Sequence, residues 1–546
     1  LKSIRYLRMN LTGWSEPVVL RMAQLQLVAG QWRTFSPAAD LDQKTAEIKP
    51  EPINTGFNIS TVNIEENAQG TSITSGYVVP PGFIRDRDNT SNVARRLNEQ
   101  SIRMCVDNLG DGRARAVFKN TNFNFMNYGK IQMFIHAEST TISSTSPPDS
   151  TLTAFVRLGT DFTQNYYEIE VPLIYTRNPT TDEYEIWPVG NNLDISFDGL
   201  SGVKAARNRI AAYDQRIAFS RIVEGRNVNI VGNPDLSSVQ VMMLGIKNPL
   251  TKDQQPYSAC IWMDEFRVTD FVNSTGHAAV GRANAKLADF ATVSLSGRYM
   301  GIGFGSIDQK ISQRNLNEQI DYGVQSNVSL DKLLPEKIGL KIPLFVSYDR
   351  STSTPKYDPT NPDIKLEASL GAVEDPVKRE SLRQILIDQS TKRSINITNL
   401  SKVKTGKNPK AHVYDIENVS LSASYSDGIR TSYLIAENST LQYKAGVRYN
   451  FSGSPKNLEP LKNIKVKSPY FALIKDINLT LLPAMLSFTA DVNRSYNKMQ
   501  NRNSFLGIEG IDPQYQKAFT FNRTYGLNWA LTKSLSINYG ANVLAI

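Results

Sequence analysis

The chain has 546 residues, 9% of them aromatic and 21% charged, with 61 Lys and Arg against 52 Asp and Glu for a net charge of +9. That length allows roughly three or four domains of about 150 residues, and this aromatic content excludes wholesale disorder, in which aromatics are scarce. The positive excess is thinly spread, with no dense Lys and Arg run interleaved with aromatics, so no nucleic-acid partner is expected.

Cysteine is nearly absent. Cys105 and Cys260 each sit in an apolar β-like run, IRMCVDNL and SACIWMDEF. Two readings stand: buried small hydrophobes, which the apolar runs favour, or a disulfide, since sequence alone does not place the two sulfurs together. His136, His277 and His412 are far apart with no second ligand at metal spacing, so no metal site is expected. No stretch approaches the roughly 18 consecutive apolar residues of a membrane-spanning helix, and LKSIRYLRMN has no signal-peptide core. A β-barrel stays open, because its apolar-out, polar-in alternation keeps average hydropathy low, as the mean of −0.33 is here. A barrel protein needs a signal peptide, so residue 1 is not expected to be the biological start, nor Ile546, which stops within an alternating strand, the end.

In chain order, residues 1–35 read as a hairpin, RYLRMNL then VVLRMAQLQLV across TGWSEP, the closing strands of a preceding β-sandwich. The same layout recurs at Val239 to Phe271, and both pairs have the form of the closing strands of a jelly roll. Residues 36–100, rich in Pro, Gly, Asn and charge, read as an extended linker with a short helix near its end. Residues 101–271 supply short strands, IRMCVDN, ARAVFKNTNF, KIQMFIHAES, TAFVRLGTDF and YYEIEVPLIYT, at the spacing of a jelly-roll-like β-sandwich. Within them only Gly199 to Arg216 looks helical.

Residues 276–546 change style. Ala283 to Tyr299 reads as one long strand with Val293, Leu295, Gly297 and Tyr299 on one face and Thr292, Ser294, Ser296 and Arg298 on the other. Val419, Leu421, Ala423 and Tyr425 oppose four serines; Leu441, Tyr443, Ala445, Val447, Tyr449 and Phe451 oppose Gln442, Lys444, Gly446, Arg448 and Asn450. Leu486 to Val492 and Phe519 to Leu531 repeat the pattern, and a Thr532-Lys533-Ser534 turn leads to a last strand. Such runs reach the roughly 9 to 11 residues that a tilted strand needs to cross a bilayer. A half-buried soluble sheet alternates in the same way. Length, a Ser, Thr, Asn and Gln face, and aromatics recurring at Tyr299, Tyr348, Tyr425, Tyr449, Phe451 and Tyr496 favour barrel wall. Residues 374–392 form a helical insertion, with Asp375 before Pro376 as N-cap and first helical residue, read as a local ornament on its own barrel. The fold class is therefore all-β: part of a very large transmembrane antiparallel barrel with an inserted sandwich.

No catalytic motif is present: no GxSxG, HExxH, Walker loop or helix-opening GxGxxG. Asp107 to Gly112, DNLGDG, lacks the full calcium-loop pattern and reads as a turn. Trp14, Trp32, Trp187 and Trp262 would stack on sugars in a lectin, but Trp in a small sandwich is more often core. The chain is thus not expected to be an enzyme; catalytic, cofactor-binding and metal-ligating residues are all none.

Several runs in the same order are specific: YLRMNLTGWSEPVVLRMAQLQLVAGQWR from Tyr6, MCVDNLGDGRARAVFKN from Met104, IWMDEFRVTDF from Ile261, GRANAKLADFATVSLSGRYMGIGFGSIDQK from Gly281 and LDKLLPEKIGLKIPLFVSYD from Leu330. With MFIHAES, DIENVSLSASYSD and YKAGVRYNF they make the chain resemble the SprA/Sov family, the outer-membrane translocon of the type IX secretion system of Bacteroidetes. The resemblance implies a very large barrel in the cell outer membrane through which folded cargo proteins leave the periplasm, with roles in protein secretion and gliding motility. It also implies partners: secreted cargo, a smaller outer-membrane barrel protein, a periplasmic plug protein, inner-membrane motor components and membrane lipid. The family's chains are far longer, so this one would supply only some barrel strands. Two other classes compete, a barrel-anchored surface carbohydrate-binding or adhesion protein and a TonB-dependent uptake barrel.

Overall fold

The computed structural model describes residues 19, 32–35, 55–87, 96–139, 147–210, 212–251, 255–272, 275–310, 313–405, 412–461, 470, 476–503 and 511–546. Most of the expected 1–35 hairpin, Trp14 included, lies outside the described residues, as do 36–54 and 88–95 of the expected linker.

Two sheets of short strands face each other in the first half. One has the order β1 (Arg33–Phe35), β4 (Ala114–Phe123), β11 (Val239–Lys247), β6 (Thr153–Gly159), β7 (Tyr166–Pro172), β10 (Arg226–Val231), β9 (Phe219–Val223). The other runs β2 (Gly56–Asn63), β3 (Gln100–Leu109), β12 (Tyr257–Phe271), β5 (Tyr128–Glu138), β8 (Leu193–Ser196). The chain changes sheet from β3 to β4, β5 to β6 and β11 to β12, so β3-β12-β5-β8 matches β4-β11-β6-β7, the winding of a jelly roll. The Val239 to Phe271 pair supplies the closing strands of this jelly roll, not as a hairpin but with its strands in opposite sheets, because the connection through Pro249 and Pro256 is long enough to cross and both strands carry residues for one core. β1 and β2, expected in a preceding sandwich and in a linker, pair with β4 and β3 here, through Arg33↔Phe118 and Phe57↔Val106.

Alternation fills the space between the sheets. Met104 and Val106, Ile131, Met133 and Ile135, and Ile261 and Met263 come from one sheet; Val156 and Leu158, Ile169 and Val171, and Leu244 and Ile246 come from the other. Each such burial contributes about 1.5–3 kcal/mol. α3 (Phe197–Asn208) closes one flank, capped by the Ser196 hydroxyl accepting from Gly199 N–H, with Phe197, Leu200 and Val203 in the core. Antiparallel register sets Cys105 opposite Cys260, and the two form a disulfide across 155 residues of chain. Closing a loop of that length stabilises by on the order of 5 kcal/mol in the chain-entropy view.

The second half is one eleven-stranded sheet, here called the wall. Its path is β13 (Ala278–Leu287), β14 (Ala291–Met300), β15 (Asn317–Ser329), β17 (Pro343–Pro355), β20 (Asp388–Lys402), β21 (Val419–Thr431), β22 (Ile435–Ser452), β25 (Met485–Asn501), β26 (Gln514–Ala530), β27 (Ser536–Ala545). The short β16 (Leu340–Lys341) pairs with β20 off this path, and β23 (Asn457–Leu458) pairs with β24 (Leu479–Thr480) in a loop. Every wall pair is antiparallel, the strands of the path follow one another in chain order, and among the described residues the sheet does not close on itself. The single long strand expected over Ala283 to Tyr299 is instead a hairpin: Ala288 takes φ 49° and Phe290 N–H donates to Leu287 C=O at 3.0 Å, folding β14 back on β13. The LDKLLPEKIGLKIP run is the connection from β15 to β17. There Lys341 pairs with Asp331 at 2.9 Å, and Gly339 is left-handed at φ 68°, with the Val403 carbonyl where a side chain would start.

Between β17 and β20 the chain leaves the wall. The excursion holds the hairpin β18 (Tyr357–Asp358) and β19 (Asn361–Lys365), then α4 (Leu366–Gly371) and α5 (Pro376–Leu386). α5 starts as expected, with the Asp375 carboxylate accepting from Val377 N–H and Pro376 in its first turn. Within the excursion α5 packs on α4, while β19 docks against α3 of the sandwich.

Candidate functional site

The wall is the part of the chain with the most unusual chemistry. Register decides its two faces, since directly opposed residues, and residues two apart along a strand, point the same way. One row reads Val346, Ile395, Tyr425, Tyr443, Arg494, Phe519, and the next Leu344, Ile397, Ala423, Ala445, Val492, Phe521. The opposite face carries Asn284, Ser294, Gln325, Ser347, Ser394, Ser426, Gln442, Ser495 in one unbroken row. Strands of 10 to 18 residues sustain this division.

All six aromatics singled out in the sequence share the apolar face. Aromatic neighbours stand across strands there, with ring centroids 6.3 Å apart for Tyr322 and Tyr348, 5.3 Å for Tyr425 and Tyr443, and 5.1 Å for Phe488 and Tyr525. Arg393 sits directly opposite Asp427 and pairs with it at 2.7 Å, so that two charges on this face neutralise each other. On the polar face Arg298 donates to Asp321 at 2.7 Å, as does Arg430 to Asp388.

Among the described residues the middle of the apolar face carries no covering element, while at one end loop residues lie against it: Tyr449 Oη donates to the Val413 carbonyl, Trp529 Nε1 donates to the Thr480 carbonyl, and Phe451 is buried. Leu295 is 48% exposed, Tyr443 48% and Phe519 49%. Ten strands about 4.8 Å apart, each of 10 residues or more at about 3.3 Å per residue, give it on the order of 1,500 Å², beyond the few hundred Å² of contiguous apolar surface that soluble monomers expose. A hollow of about 920 Å³ on this side is bounded by Ile395, Tyr425, Tyr443, Val492 and Phe519. One of about 840 Å³ on the other is bounded by Ser347, Asp349, Ser390, Lys392, Asn438 and Thr440.

The sandwich supplies no comparable surface. Trp187 and Trp262 are each 1% exposed and pack with Tyr77, Val62 and Ile186 in a small second core outside the sheet of β3 and β12. That core is closed by α1 (Ile64–Asn67), the segment after it, and α2 (Glu183–Ile186). Trp32 packs at the edge of the main core. Neither Trp187 nor Trp262 offers a sugar a free ring face. Asp107 to Gly112 is the end of β3 and the turn toward β4, with Asn108 and Gly112 left-handed. His136 is buried, its Nδ1 2.8 Å from the Ile186 carbonyl oxygen, and lies on the Trp262 ring.

One carboxylate group escaped the sequence. Glu99, Asp264 and Glu265 come within 4.8 Å of one another and could between them face a cation. The signal was invisible because a bulge in β12 after Asp264, with Glu265 at φ 49°, turns two adjacent acids toward β3. Asp264 is already engaged: it accepts from Tyr77 Oη at 2.6 Å, Ser101 Oγ at 2.7 Å and Glu265 N–H at 2.8 Å. Burial pushes its carboxyl up against the pull of those bonds, and burial with the neighbouring acids raises Glu99 and Glu265. The arrangement ties the covering segment to the sheet through Tyr77. The opposite behaviour occurs at Glu168: burial opposes its ionisation, but Arg157 and Lys247 outweigh it and hold the carboxyl well below the usual range.

No curated protein matches the chain. Residues 1–370, which span the sandwich, the wall through β17 and the excursion into α4, match the model of the SprA_N family, described as motility related/secretion protein, and the chain belongs to that family.

Proposed function

We propose that the chain is a segment of an outer-membrane protein-conducting channel that exports folded cargo from periplasm to cell surface in type IX secretion. The observation that carries this reading is the uncovered two-faced wall. Its apolar face needs a solvent other than water, and a sheet spans lipid only if its edges close through further strands. The polar face then lines a watery lumen, where Ser, Asn and Gln give passing protein a hydrated, weakly interacting surface. Membership of a motility and secretion family supports the direction of use. The Cys105–Cys260 disulfide suits an oxidising compartment such as the periplasm or cell surface.

No catalytic step is required, and the proposal assigns none. The smaller barrel protein, the plug and the inner-membrane motor are proposed partners on the strength of the resemblance alone. The test uses the full-length protein in liposomes of brominated lipid, with single fluorescent labels at Val492 and Ser495. Lipid quenching confined to the Val492 label, together with passage of large solutes once any plug is removed, is the expected result. Equal quenching at both positions would end the wall assignment; selective quenching without passage would end the channel.

A further inference from the structure

The excursion between β17 and β20 places a charged cluster where two parts of the chain meet. Asp363 of β19 and Lys204 of α3 pair at 2.7 Å with both side chains 0% exposed. Lys204 Nζ also donates to the Pro234 carbonyl at 2.8 Å, and Tyr167 Oη of β7 donates to the second Asp363 oxygen at 2.7 Å. Around this pin, Ile364 and Leu366 are buried, and Lys365 pairs with Asp198 at the rim at 2.7 Å.

The sandwich already joins the wall covalently where β12 passes into β13. A domain on one connection is free to swing. The excursion is a second attachment several strands away, about 15 Å along the wall for strands spaced about 4.8 Å apart. We propose that residues 356–387 are a strap that fixes the orientation of the sandwich at one end of the wall, with Lys204, Asp363 and Tyr167 as its pin. A buried ion pair adds little net stability over apolar contacts, yet a misdocked arrangement would leave both charges dry and unpaired. Its value is orientation. On the channel reading proposed above, the sandwich is then a fixed part of the mouth, and whatever passes the wall passes beside it. This inference needs only the junction contacts and would survive failure of the lipid assignment.

Hydrogen exchange by mass spectrometry on the full-length protein in detergent tests it. Asp363→Ala should speed exchange across 356–366 by on the order of a hundredfold, because the Lys204 charge is left buried with no opposite charge beside it. Proteolysis at the β12 to β13 junction should accelerate with it, while β6 and β7 keep their protection. Lys365→Ala, which loses only the rim pair, should change exchange less than about fivefold. Unchanged exchange in Asp363→Ala, or equal effects of the two variants, would overturn the pin. Loss of protection in β6 and β7 together with 356–366 would make the excursion part of the sandwich core and overturn the strap.

Discussion

The sandwich and the wall are both antiparallel sheet, yet they solve burial in opposite ways. In the sandwich two faces meet, and residues such as Leu158, Ile169 and Ile261 reach full burial. Over the middle of the wall no second layer lies among the described residues, and Leu295 or Phe519 keeps about half its surface. Alternation is common to both, so alternation does not tell a protein core from a lipid-facing surface. Strand length, and what lies against the apolar face, do.

The largest expected effect is confined to the sandwich. Replacing Cys105 and Cys260 by Ser should cost on the order of 5 kcal/mol, read as a lower denaturant midpoint for loss of protection in β3 and β12, with the wall strands unmoved. Next, one substitution made in both places separates the two kinds of burial. Leu158→Ala should cost about 2–5 kcal/mol through the cavity it leaves, whereas Leu295→Ala should stay within about 0.5 kcal/mol, as at a site with no packed neighbour to lose. Comparable losses would mean that another protein layer covers the wall.

A charge sharpens the same point. Val492→Lys should cost about 2–4 kcal/mol in lipid, and Ser495→Lys on the polar face close to zero, measured by denaturant unfolding in bilayers. Equal penalties would break the assignment of faces.

The smallest effect is a pH dependence inside the sandwich. Asp264, Glu99 and Glu265 have raised folded-state values, so their contribution is fully present below the ordinary carboxylate range near about 4 and is lost as pH rises through the folded values. Glu168 is depressed, so its contribution is present above the ordinary range and is lost only as pH falls through its folded value in strong acid. Intrinsic-rate-corrected exchange around Tyr77 should therefore slow from pH 7 to pH 5 while β7 stays constant. A covering segment that loosens on acidification would invert the assignment.

Much of the architecture was legible along the chain, for a local reason. Period-two patterning in 419–425 and 441–451, the Asp375-Pro376 helix start and the Thr532 to Ser534 turn depend on neighbours in sequence, and each was identifiable from those residues. Ala283 to Tyr299 misled because both arms of the β13 and β14 hairpin are in phase, so that a turn of three ordinary residues leaves the alternation intact across it. Family membership, too, was carried by runs of residues rather than by any contact.

Other features depend on pairs far apart in sequence. Register brings Cys105 to Cys260 and sets the acid triad around the β12 bulge. Winding between sheets separates β11 from β12, and the excursion carries Asp363 to Lys204 across the junction. Sequence by itself determined which residues could share a face, because that follows from a period of two along one strand. Only the tertiary structure decided what each face meets, because burial is a relation between strands: a core for Leu158, open surface for Leu295, and a dry charge partner for Asp363.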